Sequence, residues 1–292
     1  MNNRQSFFLD EFFELSPSLT LKLSSALTIV LIVSSWFYLF VGTGIDLTAV
    51  VSERNLRLLT DFVNKLLGAD TTNPAYGNPE FILRALELTL KTLKMSLMAI
   101  GLAVLGMLVT VLVGARTTAD GSLTLSDSPA GKIAFFLVRW SYVLARGIPE
   151  LFWAMFLLFL FTPGILPGAI ALAIHNYGIL GKLCAELIED LDPRPIRSLR
   201  SSGAGLGQIL IYGVLPAVTP QFLTYGLYRW EEIIRTTIVV GFVSAGGLGR
   251  QFDLSMGWFH YTEVTVYLVC YFVLVMVVDL VAGGLRALAK LN

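Results

Sequence analysis

Long apolar runs separated by short polar connections set the pattern of this chain. Leu23–Val41, Leu93–Ala115, Ile133–Phe161, Ile165–Ile188, Ile209–Val243 and Val264–Leu288 are each long enough to cross a bilayer as a helix, because about 20 helical residues span the roughly 30 Å hydrocarbon core. None shows the two-residue alternation of a barrel strand facing lipid on one side and a lumen on the other. The pattern predicts an all-α integral membrane protein with about six transmembrane helices. Phe7, Phe8, Phe12 and Leu15 fall on one side of a helical wheel opposite Asp10, Glu11 and Glu14, which predicts an interfacial helix ahead of the first run.

Composition supports the bilayer assignment. Hydrophobic residues make up 55% and charged residues 14% of the chain, where soluble domains carry roughly 25% charged residues. The formal net charge is zero, so nothing points to a nucleic-acid partner. Acidic rather than basic residues precede the first run and no small-residue cleavage site follows Val41, so that run is expected to stay in the protein. Basic residues set the orientation: Arg4, Lys22, Arg116, Lys132, Lys182, Arg194, Arg197, Arg200, Arg286 and Lys290 gather on one side, against Arg54, Arg57, Lys65, Arg84 and Arg250 on the other. Both termini are therefore expected in the cytoplasm, in a bacterial inner membrane. Cys184 and Cys270 fall within apolar runs and read as small core residues.

One connection departs from its surroundings. Between the fourth and fifth runs lies Asp192-Pro193-Arg194-Pro195-Ile-Arg197-Ser-Leu-Arg200-Ser-Ser-Gly203. The two prolines end the preceding helix, and residues from Ile196 to Ser202 can form a short helix across the membrane face. Its arginines would meet a soluble partner, which is the form of a coupling element.

Ionisable groups at membrane depth are costly and face a cavity or each other. Two clusters qualify. Arg146-Gly-Ile-Pro149-Glu150 sits at a helix break inside the third run, and Glu231 and Arg235 are four apart, able to pair along one helix face. For each, a path role competes with an ion pair that only shapes the bundle. Gly246 and Gly247, in the run Gly241-Phe-Val-Ser-Ala-Gly-Gly-Leu-Gly249, either break a helix beside a cavity or allow close helix packing. His175 reads as a packed histidine and His260 as an interfacial one, and Trp258, Phe259 and Tyr261 as an aromatic belt. No phosphate-binding lysine loop, nucleophile elbow or metal-ligand spacing occurs, so no cofactor and no enzymatic activity are expected of this chain.

The polar connection resembles the signature loop of ATP-binding-cassette import permeases: Glu-Ala-Ala, three residues, Gly, nine residues, then Ile-x-Leu-Pro. Gly203 and Leu215-Pro216 match at that spacing, while Arg197 stands in place of the Glu and Gly213 in place of the Ile. With Arg146-Gly-Ile-Pro-Glu-Leu-Phe-Trp-Ala154, Pro220-Gln-Phe-Leu-Thr-Tyr-Gly-Leu-Tyr-Arg-Trp-Glu231 and Gly241–Gly249, the chain is similar to the permeases of phosphonate and phosphite importers. The resemblance runs over 80–288, with the coupling loop at 191–207, and leaves 1–79 as an interfacial segment, a first transmembrane helix and an external loop. It implies a type I importer permease fold and a homodimer. It also implies cytoplasmic ATPase subunits that bind ATP and magnesium, an external substrate-binding protein, and phosphorus oxyanions as solutes. Arg146 and Arg235 are then the candidate cations of the path. A permease of the same architecture for an amino acid or quaternary amine is the competing reading, and a membrane enzyme or assembly subunit is a more distant one.

Overall fold

The computed structural model describes residues 17–43, 51–119 and 129–290, which are helical apart from their connections. The expected interfacial helix over Phe7–Leu15, both chain ends and the 120–128 connection lie outside the described residues. The chain divides into two compact units, one up to Val63 and one from Asn64 onward.

In the first unit, α1 (Pro17–Phe37) runs on into a π turn over Tyr38–Gly42. Leu27, Ile29, Val30, Leu31 and Val33 point to different sides of the helix, which is therefore apolar all round. Such a helix has lipid as its solvent. After it comes α2 (Glu53–Leu66), in a stretch where the sequence reading expects only an external connection. Its period is there to be read: Leu56, Leu59, Phe62 and Val63 oppose Arg54, Arg57 and Asp61, and Glu53 pairs with Arg57 one turn on at 2.8 Å.

The second unit is a bundle of α3 (Pro79–Gly114), α4 (Pro129–Gly147), α5 (Glu150–Leu158), α6 (Ile165–Glu189), α7 (Pro193–Ser201), α8 (Leu215–Val240), α9 (Gly247–Gly257) and α10 (Tyr261–Lys290). Leu19–Gly42, Pro79–Gly114, Leu206–Val243 and Tyr261–Ala289 are long and apolar enough to cross a bilayer, and α4 with α5 makes a fifth, bent by 91°. The sixth expected crossing is α6, whose 25 residues are of spanning length. Protein rather than lipid covers much of it: Ala169, Ala171, Leu172, Asn176, Gly178, Leu180, Gly181, Cys184 and Ala185 are all buried.

Small residues let the helices meet at α6. A methyl group on Gly181 would overlap the ring of Tyr142 at 2.2 Å, and one on Gly178 would touch the α4 backbone at 2.6 Å. Close approach through small residues is how helices associate where burial from water supplies no drive. Polar groups finish the contact, with Tyr142 bonded to Thr110 at 2.8 Å and Ser141 to Tyr177 at 2.9 Å. A second cluster, around Met95, Leu157, Leu172, Ile233 and Val240, joins α3, α5, α6 and α8. A third, around Leu88, Ile234, Val266, Tyr267 and Leu274, fixes α10 to α3 and α8. Even so, the apolar stretches of α3, α8 and α10 are only 28%, 17% and 28% buried. So much uncovered apolar surface belongs in a bilayer.

Candidate functional site

The polar connection between α6 and α8 forms a helix, as expected. Asp192 caps α7, its carboxylate accepting the Arg194 N–H at 3.0 Å, and Pro193 occupies the first helical position, where a missing N–H costs nothing. At the other end, Gly203 stands at φ +82, Gly203 N–H donates to Arg200 O at 3.0 Å, and Ala204 N–H donates to Leu199 O at 3.1 Å. This pair of bonds is a Schellman cap, which needs the left-handed backbone that glycine supplies. Ile196 is buried, and Leu199 packs on the same cluster beneath it. A methyl group on Gly213 would touch the Leu199 side chain at 3.0 Å, so α7 lies directly on the π turn Ile209–Val214 that leads into α8. Leu215 and Pro216, the pair that matches the importer signature, are the first two residues of α8. Arg194, Pro195 and Arg197 face outward, whereas Arg200 is half-buried.

A cluster that the sequence reading missed braces the same end of the bundle. Arg139 donates from Nε to Gly114 O at 2.7 Å, which closes the end of α3, and pairs with Glu189 at the end of α6. Glu189 also accepts the Arg116 N–H at 2.6 Å, and Glu186 pairs with Lys182 at 3.5 Å. The base of α6, where α7 begins, is thus tied to α3 and α4.

The helix break at Pro149 is real, and its freed carbonyls find side-chain partners. Proline cannot donate to the carbonyl four residues back; that group, Ala145 O, accepts the Trp153 indole N–H at 3.1 Å. His175 Nδ1 lies 2.9 Å from Ile148 O, and its Nε2 lies 3.5 Å from Glu150. The packed histidine therefore caps the freed Ile148 carbonyl, with Glu150 beside it. Arg146 is exposed in the last turn of α4, and it has no ion pair among the described residues.

Spacing pairs Glu231 with Arg235, and here the structure corrects the sequence reading. Glu231 pairs with Arg286 of α10 at 2.5 Å, with the Arg286 guanidinium stacked 4.2 Å from the Tyr228 ring centroid. Arg235 reaches both oxygens of Asp279, also on α10, at 2.9 and 2.8 Å, and touches only the backbone oxygen of Glu231. Neighbouring helix α10 offers carboxylate and guanidinium groups at the right heights, and no reading of α8 alone contains them. Arg229, inside the same stretch, donates from Nε to Asn176 at 2.8 Å, and Asn176 is buried.

Gly246 and Gly247 have φ of +86 and +71 and end the π turn Gly241–Ala245 that follows α8. The chain folds back there, with the Thr92 hydroxyl accepting the Leu248 N–H at 2.9 Å. A methyl group on Gly249 would lie 2.2 Å from Ile238 O. The glycine run thus ends the helix and lets backbone pack against backbone. At this end of the bundle, opposite α7, an open cleft of about 860 Å³ lies between residues 65–81 and 259–263. Phe259 on its rim has φ +60, the one described non-glycine residue with positive φ.

The family described as binding-protein-dependent transport system inner membrane component matches residues 122–289. A phosphite transport system permease protein of Stutzerimonas stutzeri is 37% identical over 184 residues, 63% of this chain and 63% of that protein. This chain thus spans less than two thirds of the length of that relative. A putative cryptic phosphonate transport system permease protein of Escherichia coli strain K12 is 37% identical over 117 residues, 40% of this chain and 96% of that one. Among solved structures, a chain from inward-facing conformations of the MetNI methionine ABC transporter aligns with a TM-score of 0.62 at 16% identity, over 73% of this chain and 99% of that one. That likeness shows the fold, the type I importer permease fold expected from the signature loop. With the family match extending over more than half of its length, the chain belongs to the inner membrane components of binding-protein-dependent transport systems.

Proposed function

We propose that this chain is the permease subunit of an ABC importer that carries phosphite- or phosphonate-type oxyanions into the cytoplasm. In this reading two copies form the pathway, ATP and its magnesium bind on separate ATPase subunits, and an external binding protein delivers the solute. The observation that carries it is α7: a helix capped at both ends, seated by Ile196 and Leu199 on the start of α8, with Arg194 and Arg197 turned outward. A helix held that way transmits displacement instead of absorbing it. The α7 end then faces the cytoplasm with both termini, and the cleft beside Phe259 and His260 faces the binding protein. The solute class rests on the phosphite and phosphonate relatives.

Arg146, exposed beside the 91° break, and the Gly246–Gly247 break are the parts of the path this reading assigns, with His175 bracing the break at Ile148 O and Glu150 beside it. Arg235 and Glu231 are assigned instead to joining α8 and α10.

The test is reconstitution of the permease with its ATPase and binding protein in liposomes, scored on phosphite, methylphosphonate, phosphate, methionine and glycine betaine. Uptake is expected for the phosphorus oxyanions alone. Arg194→Glu with Arg197→Glu should leave the permease inserted, abolish ATPase co-purification and stop uptake. Normal uptake in that double variant would sink the coupling role of α7, and uptake of methionine or betaine would sink the solute class.

A further inference from the structure

We propose that Arg229 is the anion-contacting group within the bundle and that Asn176 is its positioning residue. This rests on the oxyanion-import reading above.

The argument begins with the partners of each arginine in α4, α8 and α10. Arg139 is taken by Glu189 and Glu186, Arg235 by Asp279 and Glu232, and Arg286 by Glu231. Two remain without an ion pair among the described residues: Arg146, exposed at a helix end, and Arg229, half-buried in the middle of α8. An arginine inside a membrane bundle without a counter-ion is expensive, and it marks a path or binding position unless something compensates.

Its neighbours keep it open. Among the described residues, Glu150 and Glu232 make their close contacts elsewhere. Glu150 lies 3.5 Å from His175 Nε2, and Glu232 lies 3.7 Å from Arg235. Asn176 adds orientation without adding charge. Its amide nitrogen donates to Leu172 O at 2.7 Å, which fixes the amide, and its oxygen accepts Arg229 Nε at 2.8 Å. With Nε spent on a neutral acceptor, the two terminal nitrogens present a planar pair of donors, the fork that fits two oxygens of a phosphorus oxyanion. A carboxylate at position 176 would hold the same nitrogen and cancel the charge; an amide holds it and leaves the charge available.

The deciding variant is Asn176→Asp, nearly isosteric, in the reconstituted complex with saturating binding protein. If Arg229 meets the anion, neutralising it should cut phosphite uptake per assembled complex by roughly tenfold or more, with the complex assembled at wild-type yield. If Arg229 only holds α8 to α6, the ion pair preserves that contact and uptake stays at the wild-type rate, which overturns the proposal. Should Asn176→Asp fail to assemble, Arg229→Lys and Arg229→Gln decide: uptake per assembled complex must fall further for Gln than for Lys, and equal uptake in both overturns the assignment. The wild-type solute panel separates the two readings. A wild-type complex that imports only an amino acid or betaine removes the functional reading itself. One that imports phosphite equally well with Asp at position 176 leaves that reading standing and removes Arg229 from it.

Discussion

At the residue scale, backbone conformation and side-chain contact impose separate demands. Gly203 is at φ +82 with open space where a side chain would go, so the cost of substitution is almost purely conformational. Gly203→Ala should lower stability by about 1–2 kcal/mol, the penalty for left-handed backbone in a residue with a Cβ, and Gly203→Asn by less. Thermal unfolding of the detergent-solubilised protein reads the difference. Gly249 is the opposite case. Its backbone is ordinary but a methyl group would overlap Ile238 O at 2.2 Å, so Gly249→Ala should prevent the α8–α9 turn from closing and cut the yield of folded protein sharply. The need for glycine at position 203 is legible in the sequence, where a glycine follows a short helix. The need at 249 is not, because the overlapping carbonyl lies eleven residues back, across a fold that spacing does not disclose.

At the scale of elements, interhelical pairs decide which arginines are structural. Arg286 and Glu231 are 16% and 12% exposed at their side chains, so Arg286→Met should strand a buried carboxylate and destabilise by on the order of 3 kcal/mol. Arg235 and Asp279 are 42% and 39% exposed, and Arg235→Gln should cost no more than about 1 kcal/mol. Restoring balance should need Asp279→Asn in the second case and Glu231→Gln in the first; melting temperatures of the four single and two double variants check the assignment. The elements themselves were largely readable, since apolar runs, Pro149 and Pro193 punctuate the chain. The pairing was not, because an i, i+4 rule knows only one helix, while α10 supplies Asp279 and Arg286 from 44 and 55 positions further along. The amphipathic period of α2 was present but lay in a stretch dominated by turn residues at its far end.

At the scale of the whole molecule, the bilayer assignment followed from composition and the fold from the signature spacing. What remained hidden was how partners are distributed: a bundle that neutralises Arg139, Arg235 and Arg286 while leaving Arg229 open is a property of assembled helices. The same holds for α8, which begins in the π turn Ile209–Val214 beneath α7 and ends in the π turn Gly241–Ala245. Each π turn stores one residue more than an α-helix of the same rise. Were a push on α7 to pass that surplus residue along, α8 would advance like a screw, by about 1.5 Å along its axis and about 100° around it. Sliding alone would carry Arg229 almost nowhere; rotation would turn it away from Asn176. Spin-label distances from α8 to α10, measured with and without ATP in the assembled complex, should then change far more with position around α8 than with position along it.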